Sequence, residues 1–129
     1  IASYHGIPQK YFDKGDPYHC YCHKTTRLMQ EKFNKIKIQT TFQSRFGPQE
    51  WLTPYTDKTL ENLPKKGVKN LLVICPGFAS DCVETLEEIN IQGRESFLDN
   101  GGKNFDLVPC LNDSEDHINL FEKLVKKYI

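Results

Sequence analysis

The chain has 129 residues, with 17 basic and 17 acidic side chains, 38% hydrophobic and 26% charged, a length that supports one domain (residues 1–129) around a single modest core. Balanced charge excludes a general nucleic-acid binder, which carries a basic excess, and no apolar run approaches the roughly 20 residues that span a bilayer. No secretory leader is visible, and five cysteines cannot all pair within the chain, so reduced thiols in the cytoplasm are expected.

In chain order, residues 1–4 read as the end of a strand, and a Gly- and Pro-bearing loop follows from Gly6 to Pro17. Residues 19–35 read as a helix with Leu28, Met29 and Phe33 as core contacts. Residues 36–44 are rich in β-branched side chains and read as a strand. A long loop carries Gly47, Pro48, Trp51 and Pro54. Thr56 suits the N-cap of a short helix ending at Gly67. The apolar run of residues 71–75 predicts a strand buried on both faces, broken by Pro76 and Gly77. A helix is expected over residues 81–99, stopped by Gly101 and Gly102, then a strand over 107–110. Ser114 caps a last helix whose apolar face holds Ile118, Phe121, Leu124 and Val125. Strands alternating with helices predict an α/β fold, a four-stranded parallel sheet with helices on both faces. Ligands of such sheets bind beyond the carboxyl ends of the strands. His5 with Gly6, residues 45–51 and residues 76–84 all fall there.

Four groups of residues could carry chemistry, most of them in or beside these segments. His5, where strand turns to loop, is either a proton acceptor or metal ligand, or a hydrogen-bonded structural histidine. Over residues 80–89, α-helical spacing puts Cys82, Val83, Leu86 and Ile89 on one face and Asp81, Glu84 and Glu88 on the other. Glu84 and Glu88, four apart, repel unless a cation or proton sits between them. Alternatively, Asp81 and Glu84 form a capping box in an acidic first turn. Cys20 and Cys22, flanked by His19 and His23, with Cys75 and Cys82, would hold an iron–sulfur cluster only if the fold gathers them; buried structural thiols are the other reading. Trp51 packs on a flat apolar ligand or anchors its loop, and Phe78 beside Gly77 is similar.

The segments SYHGIP, GDPYHCYC, TFQSRFGPQEWL, PYTDKTLENLPKKGVKNLLVICPGF and SDCVETLEEI, in that order from Ser3 onward, resemble ferrochelatases of the bacterial type. The resemblance implies the C-terminal half of a protein built from two Rossmann-like, three-layer halves around a porphyrin cleft. It implies insertion of ferrous iron into protoporphyrin IX, with release of two protons, in haem biosynthesis. His5 matches the family's active-site histidine and Glu84 its catalytic glutamate, so His5, Glu84 and Glu88 are the expected metal-handling residues. Trp51, Phe78 and Asp81 are the expected porphyrin-side residues. Family members often extend the glutamate into a longer acidic row; here the next position is Gln92, which shortens it. Iron is a substrate, so no lasting cofactor is required, although some ferrochelatases hold a [2Fe–2S] cluster and Cys20, Cys22, Cys75 and Cys82 are the set available for one. Expected partners are porphyrin, ferrous iron and the absent N-terminal half, with no nucleic acid; the location is cytoplasmic, with weak attachment to the periphery of the inner membrane left open. Two other readings stay open: a non-catalytic α/β porphyrin-binding fragment, and a tetrapyrrole chelatase for another metal or for coproporphyrin.

Overall fold

The computed structural model describes residues 1–129. Four short strands, β1 (Ala2–His5), β2 (Thr40–Gln43), β3 (Asn70–Val73) and β4 (Asn104–Leu107), pair in parallel as β1 with β2 and β3 with β4. The expected continuous four-stranded sheet is replaced by two two-stranded sheets. They touch at one bridge, Ala2 opposite Ile74, where Ser3 N–H donates to the Ile74 carbonyl and Ile74 N–H to that of Ile1. Pro76, two residues beyond Ile74, has no N–H to offer β1, so the ladder between the pairs cannot continue past it.

Helices cover both faces. Helix α2 (Tyr18–Lys32) lies on one, where Cys22 packs with Ala2, Tyr4, Phe42 and Leu52. Helix α3 (Thr56–Asn62), a π-helical segment (Leu86–Gly93) and α5 (Arg94–Asp99) lie on the other, where Leu60, Ile89 and Phe97 pack with Val73, Cys75 and Phe105. Much of the interior is polar and satisfied. Tyr4 Oη and Thr40 Oγ1 both bond Thr26 Oγ1 on one face; Ser3, Thr41 and Thr56 hydroxyls bond one another on the other.

Several sequence expectations shift. A short helix, α1 (Gln9–Asp13), sits inside the first loop and ends toward Gly15, whose φ of +94° suits glycine alone. In α2 the buried side chains are Cys22 and Thr26, while Leu28 and Phe33 are exposed and only Met29 of the expected trio packs on the core. Strand β2 starts later than expected because Gln30 ties residues 33–38 into a loop: its amide donates to the Phe33 and Ile36 carbonyls and accepts from Ile38 N–H. Tyr55, not Thr56, caps α3; Thr56 is already helical, with its hydroxyl turned to Thr41. Strand β3 is not buried on both faces, since Leu72 is 52% exposed. Strand β4 falls earlier than expected, because the alternation of Phe105 and Leu107 sets the pairing and Pro109 cannot donate to it.

The predicted helix over residues 81–99 is three pieces: a single turn α4 (Val83–Thr85), the π-helical segment and α5. Cys82 caps it with Thr85 as reciprocal partner, one residue on from the expected box at Asp81 and Glu84. The wider i→i+5 turn aligns side chains five apart, as Gln92 donating to Glu87 shows. The α-helical face assignment therefore fails: of Cys82, Val83, Leu86 and Ile89, only Ile89 is fully buried, and Val83 and Leu86 face outward. Gly101, with φ +100°, and Gly102 end α5 as expected. Gly102 lies under Phe97, and a Cβ there would collide with the ring, which is fully buried and cannot swing away. Gly102→Ala is expected to lower unfolding stability by about 1–3 kcal/mol, the usual cost of an overpacked core; an unchanged urea midpoint would show that the ring has room. Helix α6 (Glu115–Val125) follows Ser114 as expected, but its apolar residues Ile118, Phe121, Leu124 and Val125 are exposed and only His117 is buried. No helix is long and apolar enough to cross a membrane.

Candidate active site at the carboxyl ends of β1 and β2

His5 ends β1 and is paired in register with Gln43, the last residue of β2. Its Nδ1 lies 2.7 Å from the Gly6 carbonyl oxygen. A carbonyl only accepts, so Nδ1 carries the hydrogen, and in the neutral ring the lone pair is the one on Nε2. The Tyr18 hydroxyl donates to the His5 carbonyl at 2.8 Å, fixing the backbone. Phe78 stands beside the ring, centroids 6.4 Å apart.

Glu84 reaches this edge through Gln43. The buried Gln43 amide donates to the Glu84 carbonyl at 2.7 Å, and its oxygen accepts the Ser3 hydroxyl at 2.7 Å. A hydrogen bond from the Cys82 side chain holds the Glu84 carboxyl below the usual carboxylate range, its own backbone N–H adds to this, and so does nearby His5 whenever its ring is protonated. Glu84 is thus an anion beside His5 at neutral pH. Glu88 does not join them as a free carboxylate. Ser44 N–H donates to Glu88 Oε1 at 2.7 Å and Ser44 Oγ to Oε2 at 2.5 Å. The two carboxylates are therefore not a bare repelling pair. Gln43 and Ser44 were absent from the candidates read from sequence, although the strand-end rule that singled out residues 45–51 stops just short of them.

Trp51 is only 5% exposed and donates its indole N–H to the Phe46 carbonyl at 3.0 Å. It anchors its loop against Pro8 and Gly6. The exposed aromatic of that loop is Phe46, 72% exposed and packed on the indole at 5.2 Å between centroids. A polar cleft of about 340 Å³ opens on the outer side of Ser44 and Glu88, lined also by Arg45, Asp57, Gln92 and Ser96. Arg45 is held there by two bonds to Asp57, at 2.6 and 2.9 Å. His5 does not line it.

A family model described as ferrochelatase matches residues 1–129, the whole chain. The chain belongs to the ferrochelatase family. It is 57% identical over 128 residues to a ferrochelatase of Marinobacter nauticus, covering 98% of this chain and 35% of that protein. It is 56% and 57% identical over 129 residues to ferrochelatases of Agrobacterium fabrum and Rhizobium etli, covering 98% of this chain and 38% of each. The chain thus spans somewhat over a third of these relatives' length, less than the half expected from sequence.

The iron–sulfur set that some ferrochelatases would suggest is split by the fold. Cys22 packs in the cluster on the α2 face and Cys75 in the cluster on the opposite face, while Cys20 is exposed. No three His, Cys, Asp or Glu side chains are gathered for a metal ion. Burial raises the Cys22 thiol and pushes Cys75 up to about 12. These stay protonated at neutral pH, and Cys75 donates to Gln43 Oε1 at 3.6 Å. The residues present do not fit a cluster. His19 and His23, the neighbours of Cys20 and Cys22, pack on Phe42 with their rings 4.4 Å apart.

Asp81, expected on the porphyrin side, is taken up by the fold. Its backbone N–H donates to Asn112 Oδ1 at 2.8 Å, and its carboxylate accepts Asn112 Nδ2 at 2.8 Å, Thr85 Oγ1 at 3.0 Å and Cys110 N–H at 3.3 Å. The Asn112 bond, first among these, holds its carboxyl below the usual range. A folded value below the unfolded one gives a stabilisation present above about pH 4 and lost as pH falls through the depressed value. Asp81→Asn is expected to lower stability near neutral pH by about 1 kcal/mol or less, because solvent screens the partly exposed group. The gap to wild type should close in strong acid. A gap in the urea midpoint that persists there would assign the effect to shape rather than charge.

Proposed function

We propose that the protein containing this chain is a ferrochelatase, inserting Fe²⁺ into protoporphyrin IX with release of two pyrrole protons. The match of the family model over all 129 residues carries this reading. We read the chain as one Rossmann-like, three-layer unit of a chelatase-like fold, acting in the cytoplasm with porphyrin and ferrous iron as substrates.

Metallation must strip water from the iron and take two protons from the macrocycle, which binding in a bent shape makes accessible. His5 Nε2 is the proton acceptor, because Nδ1 is committed to Gly6, and it hands the first proton to solvent water before it takes the second. Glu84, already ionised, attracts the cation and stabilises the imidazolium as it forms. Phe78 and the exposed ring of Phe46 offer apolar faces to the macrocycle.

The test is anaerobic assay of the intact protein with Fe²⁺ and protoporphyrin IX, and in parallel with coproporphyrin. Haem absorbance from the first supports the reading as stated, and turnover of coproporphyrin alone changes the substrate. No metallation of either would overturn it. The isolated chain is expected to be inactive, since the cleft of the family is lined from both halves.

A further inference from the structure

We infer that Gln43 and Ser44 are positioning residues that clamp the Glu84 turn against the strand end bearing His5, with Glu88 as the far jaw of the clamp rather than a carrier of iron. This rests on the ferrochelatase reading above. Three observations carry it. Gln43 is the register partner of His5 and is buried, so its backbone moves with the histidine's. Both ends of its amide are engaged, with Nε2 on the Glu84 carbonyl at 2.7 Å and Oε1 on the Ser3 hydroxyl at 2.7 Å. A flipped amide would set oxygen against the Glu84 carbonyl, so the orientation is fixed. Ser44 has φ +64°, a left-handed conformation uncommon outside glycine, and Ser44 delivers both its N–H and its hydroxyl to the two oxygens of Glu88. Local strain of this kind persists where surrounding contacts enforce it. A carboxylate holding two such bonds at 2.7 and 2.5 Å is a structural acceptor, and a cation would have to displace Ser44 to use it.

The clamp sets the distance between acceptor and anion. A misplacement of about 1 Å at a reacting centre can cost about 100-fold. In the intact enzyme, Gln43→Glu keeps the shape but removes the donor to Glu84, and Ser44→Ala removes one of the two donors to Glu88. Both are expected to lower kcat roughly 10-fold or more, with the KM for Fe²⁺ within about twofold of wild type. Glu88→Gln keeps an oxygen for Ser44 N–H and an amide to meet Ser44 Oγ, so it should recover most of the kcat that Glu88→Ala loses. An iron carrier at Glu88 gives the opposite pattern: Glu88→Gln raises the KM for Fe²⁺ and Ser44→Ala does nothing, which overturns the inference. Circular dichroism identifies a misfolded Gln43→Glu, and Ser44→Ala, on a partly exposed residue, then decides alone. If wild type itself fails to metallate, the functional reading falls; if wild type turns over and His5→Ala does not, while both clamp variants remain at wild-type rate, only the clamp falls.

Discussion

In the intact protein, His5→Ala should lower porphyrin metallation by at least about 100-fold, the lower end for loss of a positioned acid–base group. Alanine removes the Nε2 lone pair and leaves no acceptor in its place; the Glu84 carboxyl is held as the anion, first by the Cys82 hydrogen bond. The fold should survive. The only hydrogen bond made by the ring is the local one to Gly6, and the ring is partly exposed, so the loss of stability should stay within about 1 kcal/mol. Rate and stability are therefore separable in this variant. A near wild-type rate would remove His5 from the chemistry and return it to a structural histidine.

The second large effect is expected at Glu84. Glu84→Gln preserves shape and hydrogen-bonding capacity and removes the charge. If the carboxylate attracts iron and balances the imidazolium, turnover should fall by about 100-fold, with no change in the unfolding midpoint. The pH profile adds a signature. The carboxyl lies below its usual range, so wild-type activity should keep its anionic contribution down to mildly acidic pH and lose it only as the depressed value is crossed. In Glu84→Gln that acid limb should be absent. Glu88→Gln should cost much less, because Glu88 is engaged by Ser44 rather than by the reacting groups. Equal losses at both positions would point to a cation shared between them.

The placement of His5 at a strand end was legible because its signals are local: a short β-rich segment, then Gly6 and Pro8. The same holds for the loop at Pro76 and Gly77 and for α6 after Ser114. The core was harder to read because so much of it is hydroxyl. Apolar periodicity pointed to Leu28 and Phe33 in α2, yet Thr26 is buried there because Tyr4 and Thr40 meet its hydroxyl. Gln43 and Ser44 were missed for the same reason, since their part in the site rests on hydrogen bonds to a segment more than 40 residues away. The apolar face through Val83, Leu86 and Ile89 was misread because a period of 100° per residue was applied where the backbone winds more widely: Val83 and Leu86 face outward.

That wider winding has a consequence for how the chain tolerates change in length. One end of the π-helical segment is moored at Ser44 through Glu88. The other enters α5, whose Phe97 is locked in the core, and Gly93 between them lies against Leu60 so closely that a Cβ would stand 2.9 Å from its Cδ1. Glu87, Ile91 and Gln92, which face solvent, are free to vary in identity. The number of residues is tied to the winding. Removing one while keeping the wide turn would rotate the two ends relative to each other, and Glu88 could then keep Ser44 only if Phe97 left the core. Rewinding the shortened segment as an ordinary helix, with fewer residues per turn, brings the two ends back to nearly the same orientation. The wide turn thus lets this stretch hold one residue more than an α-helix would between the same two anchors, and a one-residue deletion at Ile91 or Gln92 is tolerated only if it converts the winding.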